Sequence, residues 1–152
     1  MIFIIEGPDG SGKSTLAGLL SSQTGYPVIH RSQPKTEEEK ARMYKEYEEL
    51  AASSKSCILD RCWYSEMTYG PVMRDKSVIS VFEMYRLESL LTKHGAMIIY
   101  CTGKPNVLWS RCLKRGEEYI TSKENYMQIY NNYEELMNIP HKIPVVRYEI
   151  NY

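Results

Sequence analysis

Short apolar runs alternate along the chain with longer segments of helical period, the pattern of a parallel-sheet α/β domain. Strands are predicted over Ile2–Glu6, Tyr26–His30, Cys57–Asp60, Ala96–Cys101 and Pro144–Ile150. Four of them are apolar or β-branched on consecutive positions, as a sheet covered on both faces requires. Helix signals fill the intervals. Gly12–Ser22 follows the first strand directly, and Thr36-Glu37-Glu38-Glu39 reads as a capping box opening a helix that runs to Ala52. Another helix surrounds Glu66. Ser77–Lys93 carries Ile79, Phe82 and Leu90 on a helical spacing and stops at Gly95, a C-cap. Pro105 suits a first helical position in a segment ending at Gly116. Thr121-x-x-Glu124 opens a last helix whose Tyr126, Ile129, Tyr130, Tyr133 and Met137 form one apolar stripe, read as core rather than as a base-stacking platform.

Composition narrows the function classes. The 152 residues suit one domain, 1–152, without repeats or linkers. Lys+Arg 19 balance Asp+Glu 19, which argues against a domain devoted to coating a nucleic-acid polymer or an anionic membrane. A mean hydropathy of −0.44 and the lack of a long apolar run exclude a membrane span, and the N-terminal MIFIIEGPDGSG reads as no signal peptide. Cys57, Cys62, Cys101 and Cys112 form no CxxC pair, and His30, His94 and His141 stand apart from them. Buried free thiols in a reducing cytosol are therefore expected instead of a zinc site, and the location is read as cytoplasmic.

The strong chemical signal is Gly7-Pro-Asp9-Gly10-Ser11-Gly12-Lys13-Ser14-Thr15, which fits G-x-x-x-x-G-K-[ST] without a mismatch. A chance match in a chain this long is on the order of one in two hundred. Its placement after an apolar strand and before a helix adds to that. Glycines let successive backbone N–H groups turn inward around a polyphosphate, and the following helix N-terminus adds its dipole. Gly10 to Thr15 are thus expected to cradle the phosphates of ATP, with Lys13 reaching the β- and γ-phosphates and the Ser14 hydroxyl on Mg²⁺. No N/T-K-x-D guanine-reading motif is present, so a GTPase is disfavoured; the neutral charge and small size disfavour a helicase motor.

The third strand ends in Asp60-Arg61. That places a carboxylate at the C-terminal edge of the sheet, where it can hold a Mg²⁺-bound water, with Arg61 in the same crevice. Such a pair is also common as a plain surface ion pair; following a phosphate loop, the functional reading prevails. Glu6 is either a crevice carboxylate or simply the end of its strand.

At this point the residues resemble a family. GPDGSGKST, the Asp60-Arg61 pair after a strand, and Ser65 and Tyr69 at their spacing from it look like the thymidylate kinases, over roughly Met1 to Tyr133. The resemblance implies a three-layer P-loop kinase fold with a five-stranded parallel sheet, flanking helices and a helical lid over about 111–121. It implies Asp9 at the deoxyribose 3′-hydroxyl, Arg61 on the acceptor phosphate, and Ser65 and Tyr69 along the nucleoside pocket. Arg111-Cys-Leu-Lys114-Arg115-Gly-Glu-Glu resembles the mobile lid, with Arg111 and Arg115 supplying the positive charge that phosphoryl transfer needs once water is excluded. Lys114 and Arg115 also read as a solvated helix end favoured by the dipole. Arg42 or Lys45 would add a second acceptor-phosphate contact; the other reading is an exposed charge on an amphipathic helix.

The chain departs from the family pattern in places. Arg31-Ser-Gln-Pro34 stands where Arg-Glu-Pro is usual, and Gly70 follows Tyr69 where Gln is usual. With Tyr152 as the last residue, the family's adenine-contacting loop and final helix are expected to be missing or minimal, as in shortened kinases of bacterial viruses. The helices around Glu66 and over Ser77–Lys93 offer a homodimer face of the kind similar kinases use.

Two acceptors compete. A 5′-hydroxyl must lose a proton as it attacks, so a nucleoside kinase needs a general base, which deoxynucleoside kinases place in a Glu after the second strand. A monophosphate, with a second pKa near ~6, already offers an anionic oxygen. Arg31 to Lys35 contains no carboxylate and is basic, which favours a deoxynucleoside monophosphate, a pyrimidine such as dTMP or dUMP by the resemblance. The alternatives are a deoxynucleoside kinase and a nucleotide-binding regulator without turnover.

Overall fold

The computed structural model describes residues 1–116, 120 and 122–150. In chain order they form β1 (Ile2–Glu6), α1 (Lys13–Thr24), β2 (Val28–His30), α2 (Glu37–Ala52), β3 (Cys57–Asp60), α3 (Trp63–Met73), α4 (Val81–Leu91), β4 (Ala96–Thr102), α5 (Pro105–Arg115), α6 (Lys123–Asn138) and β5 (Val145–Glu149). The strands make one parallel sheet in the order β2-β3-β1-β4-β5, with Ile2 opposite both Cys57 and Ala96. This is the P-loop kinase-like α/β fold expected from the sequence.

Period-two alternation sorts the strand residues between two layers. Ile2, Ile4, Leu59, Ile98 and Tyr100 face a large core built with α2 to α6. Phe3, Ile5, Ile58, Ile99 and Cys101 face a smaller core beneath α1. The chain reverses after β1 and β3 at the same sheet edge, so the phosphate loop and the Asp60-Arg61 corner become neighbours. All four cysteines are buried thiols outside any disulfide, as expected. Among the described residues no helix is long and apolar enough to cross a membrane.

The differences from the predicted elements are local. β2 starts at Val28 because Pro27 has no N–H to give to a ladder. Thr36 caps α2 by accepting from the Glu39 N–H, but the Glu39 carboxylate accepts from Lys35 N–H, so the reciprocal half of the capping box goes one residue upstream. The helix predicted over Ser77–Lys93 begins only at Val81, where Ser80 and Glu83 form a complete capping box. Its buried stripe is Met84, Leu87, Glu88 and Leu91. Ile79 is buried ahead of the helix and Phe82 is 72% exposed. Thr92 ends α4, and Gly95 turns the chain into β4 instead. Ser122 caps α6. Thr121, expected in that role, lies outside the described residues, as do 117–119 of the expected lid. The tyrosine stripe is core: Tyr126, Ile129 and Tyr133 are fully buried.

Candidate active site

The phosphate loop is held open from below by close backbone contact. A Cβ on Gly7 would lie 2.0 Å from the Cys101 carbonyl oxygen, so only glycine lets the loop leave β1 against β4. Gly10, at φ +83°, lies so near α5 that a Cβ would meet the Leu108 carbonyl at 2.6 Å. Lys13 begins α1 and folds its ammonium back over the loop, donating to the Pro8 carbonyl at 2.9 Å. Burial, then the nearby Arg61 charge, lowers its pKa to about 8. A recess of about 250 Å³ above it is lined by Asp9, Gly10, Gly12, Lys13, Ser14, His30, Arg61 and Arg115.

Asp60 is buried beside this recess. Its Oδ2 accepts from the Ser14 hydroxyl at 3.2 Å and lies 3.4 Å from His30 Nδ1, while its buried Oδ1 has no hydrogen-bond partner. A hydroxyl next to a carboxylate oxygen that still needs a partner fits Mg²⁺, a hard cation that takes few protein ligands and the rest from phosphate and water. Ser14 and Asp60 thus have the donor set for it. Among the described residues no cluster of three or more His, Cys, Asp or Glu has metal-binding geometry.

Arg61 turns the corner out of β3 at φ 74°, a conformation that is strained for a residue with a side chain. Its N–H donates to the Ile5 carbonyl, and α3 starts two residues later. Glu6 explains why the corner holds. It is fully buried at the end of β1, and its carboxylate accepts from the N–H groups of Cys62 at 2.7 Å and Ser65 at 3.1 Å, capping α3 from another strand. It also accepts from the Ser65 hydroxyl at 2.7 Å and the Tyr133 hydroxyl at 2.9 Å. Glu6 is therefore a crevice carboxylate with every lone pair engaged, not a free acid. The guanidinium of Arg61 pairs with Asp9, donates to Ser65 Oγ at 3.3 Å and lies 5.3 Å over the Tyr69 ring.

Two tyrosines fix Asp9 itself. Tyr126 donates its hydroxyl to the Asp9 carbonyl at 2.6 Å, and the Tyr69 hydroxyl accepts from the Asp9 N–H at 3.2 Å. Sequence reading placed Tyr126 and Tyr133 in the core and missed that their hydroxyls reach the site. The signal was there: two tyrosines, not leucines, on a stripe otherwise suited to apolar packing.

A second cavity, of about 220 Å³, opens on the other side of Arg61. Asp9, Arg61, Ser65 and Tyr69 line it, together with Gln33, Pro34, Met43, Tyr47 and Glu66 from the β2–α2 segment, α2 and α3. The two spaces share Asp9, His30 and Arg61. Of the residues expected at the site, the structure thus brings together Asp9, the loop from Gly10 to Ser14, Asp60, Arg61, Ser65, Tyr69 and Arg115. Thr15 continues α1 as an exposed residue. Arg111 lies on α5, its Cβ 3.4 Å from where a Gly10 Cβ would sit. Arg42 is not brought to the cavity: it lies exposed on α2 with Glu38 and Glu46. Gly70, where the thymidylate kinase pattern has Gln, has no room for a side chain, since a Cβ would meet the Lys76 carbonyl at 2.8 Å and Glu66 Oε1 at 2.9 Å. Glu66 itself faces inward, bound to Arg74 and to the Val78 N–H, while Val81 and Phe82 are exposed on α4.

No family model matches the chain. It is 32% identical over 140 residues to the SPbeta prophage-derived uncharacterized protein YorR of Bacillus subtilis, covering 90% of this chain and 82% of that protein. It superposes on the crystal structure of YorR in complex with phosphorylated GDP with a TM-score of 0.79 and 27% identity, over 99% of this chain and 85% of that one. The deoxyadenosine kinase of M. mycoides with bound dATP shares the fold, with a TM-score of 0.66 and 19% identity over 98% and 91% of the two chains.

Proposed function

The chain belongs to the P-loop kinase-like family that includes YorR, and from that premise we propose that it transfers the γ-phosphate of MgATP to a deoxynucleoside monophosphate, a pyrimidine such as dTMP or dUMP. The observation that carries this reading is the position of Arg61, which lines both the phosphate recess and the neighbouring cavity. A guanidinium fork at that boundary suits the phosphate of an acceptor lying in line with the transferred group. The segment 31–34 lines the cavity without a carboxylate, so an acceptor that brings its own anionic oxygen fits better than a nucleoside.

The geometry supports the following roles. Lys13 and the loop N–H groups hold the triphosphate. Ser14 and Asp60 would hold Mg²⁺, which when bound neutralises charge on the phosphate oxygens. Arg61 exchanges its Asp9 partner for the acceptor phosphate, which frees the Asp9 carboxylate to accept from the sugar hydroxyl. Arg115, at the mouth of the recess, and Arg111, on the same helix, supply further positive charge where it develops in the transition state. The donor base has a recess of about 320 Å³ lined by Gly103, Lys104, Pro105, Tyr130 and Ile150.

The test is a coupled assay for ADP release with each deoxynucleoside and each deoxynucleoside monophosphate as acceptor. Release with monophosphates is the expected result. Release with nucleosides alone would make the protein a nucleoside kinase, and no acceptor-dependent release would make it a non-catalytic nucleotide binder.

A further inference from the structure

Beyond the residues it shares with the phosphate recess, the acceptor cavity is lined by apolar and polar side chains, and several of the polar ones are already engaged. Pro34, Met43 and Tyr47 form its buried apolar wall. Glu66 accepts from Arg74 on one oxygen and from the Val78 N–H on the other, which fixes its carboxylate. Arg31 lies 3.5 Å from Glu46 and over the Tyr47 ring, while its buried Nε has no partner, and Ser32 is exposed. Arg31 can only donate whatever its orientation, so the group whose orientation decides what the cavity offers is the half-buried Gln33 amide. Arg74 Nη1 donates to Gln33 Oε1 at 2.8 Å, and a guanidinium can only donate, so the amide orientation is fixed by chemistry: oxygen toward Arg74, NH₂ away from it. Arg74 is in turn held by Glu66, whose own pKa is raised by burial, with the Val78 N–H and the Arg74 charge working against that rise.

We propose that Gln33, clamped by Arg74 and Glu66, is the base-reading residue of the acceptor cavity and selects a base that presents a ring carbonyl over one that presents an exocyclic amine at the same place. An NH₂ facing the base donates to O4 of uracil or thymine, or O6 of guanine, whereas the amino group of cytosine or adenine would set donor against donor. Residue 33 stands in the segment where the family pattern has Arg-Glu-Pro, so a one-atom change from carboxylate to amide there reverses what the cavity offers. The inference rests on the proposed nucleotide acceptor and adds which bases it carries.

The experiment compares dUMP with dCMP, which have nearly the same shape, in two readouts: equilibrium binding by calorimetry and kcat/KM for ADP release. Wild-type protein is expected to favour dUMP by roughly tenfold or more in both, the effect of leaving a desolvated donor without an acceptor. Gln33→Glu keeps an oxygen for Arg74 but replaces the outward donor with an acceptor, and it should reverse the preference toward dCMP. Gln33→Met should erase it. A dUMP-to-dCMP ratio that is the same in all three proteins, or a wild-type preference for dCMP, overturns the inference while turnover with monophosphates keeps the proposed activity. If the binding ratio follows residue 33 but no monophosphate is phosphorylated, the activity falls and the inference stands. Failure of both nucleotides to bind overturns both.

Discussion

At the residue scale the proposed reaction turns on one exchange of partners at Arg61. In the free protein its guanidinium already has a carboxylate partner in Asp9, a hydroxyl in Ser65 and the Tyr69 ring. The strained corner at φ 74° is held by Glu6 and by the Ile5 carbonyl, so the side chain is preorganised and needs only to change partner. A phosphate dianion can replace Asp9 because it offers the fork two oxygens and more charge. Removing the fork should therefore cost acceptor use much more than donor binding. For Arg61→Ala, kcat/KM for the monophosphate is expected to fall roughly a hundredfold to a thousandfold, the usual loss when one preorganised donor to a developing charge is deleted. Acceptor-independent ATP hydrolysis should fall far less. Steady-state kinetics with varied acceptor measures this, and an equal fall in hydrolysis would show that Arg61 serves the donor instead.

At the element scale, α4, α6 and the entry to β5 are tied together by one buried ionic cluster far from the phosphates. Glu88 on α4 has no solvent exposure and accepts from the Tyr64 hydroxyl at 2.7 Å, the Lys142 N–H at 2.9 Å and His141 Nδ1 at 2.6 Å. The other ring nitrogen of His141 donates to the Leu136 carbonyl at 2.8 Å. The Leu136 carbonyl can only accept, so Nε2 carries a proton, and protonation of the ring lets Nδ1 donate to Glu88. Burial alone would lower its pKa, but the hydrogen bonds to Glu88 and Leu136 outweigh that and raise it. A raised folded-state pKa contributes stability that is fully present below the unfolded value of about 6.5 and is lost as pH climbs through the folded value. Denaturant unfolding should thus show stability falling as pH rises above about 6.5. His141→Gln should flatten that slope and cost about 3 kcal/mol at low pH, since it removes one partner of a buried pair. An unchanged slope in the variant would show that another group titrates. None of this cluster was legible in the sequence, where His141 is a lone histidine. Glu6 was hidden for the same reason: the N–H groups it caps lie 56 and 59 residues away. Motifs made by neighbours in sequence, such as the phosphate loop and the strand ending in Asp60-Arg61, were legible because a local pattern fixes them. The start of α4 was misread because Ile79 satisfies the helical spacing while serving the core from outside the helix.

At the scale of the whole molecule, the sheet order explains why so many elements converge on the phosphate loop. β1 lies at the centre with β3 on one side and β4 on the other, so the loop leaving it packs between the chain segments that leave those two strands. On one side stand Asp60 and Arg61; on the other stands α5, pressed against Gly10. Tyr69 of α3 and Tyr126 of α6 bind the backbone of Asp9 from the large-core side. Filling the loop should therefore brace the entire fold, not a surface patch. A ligand that binds only the folded state stabilises it by about 2.7 kcal/mol at a hundred times its Kd. In a chain of this size each kcal/mol raises Tm by roughly 2–4 °C, so a non-hydrolysable MgATP analogue at that concentration should raise Tm by roughly 5–10 °C. Lys13→Ala should abolish most of that shift while leaving the unliganded Tm within a few degrees. Its ammonium is buried at a cost that its pKa of about 8 records, and among the described residues it holds the loop through the Pro8 carbonyl and Ser11. Thermal unfolding of both proteins with and without the analogue makes the comparison. An equal shift in the variant would mean that the analogue is held somewhere other than the loop, and a collapse of the unliganded Tm would mean that Lys13 is part of the framework it was taken to serve.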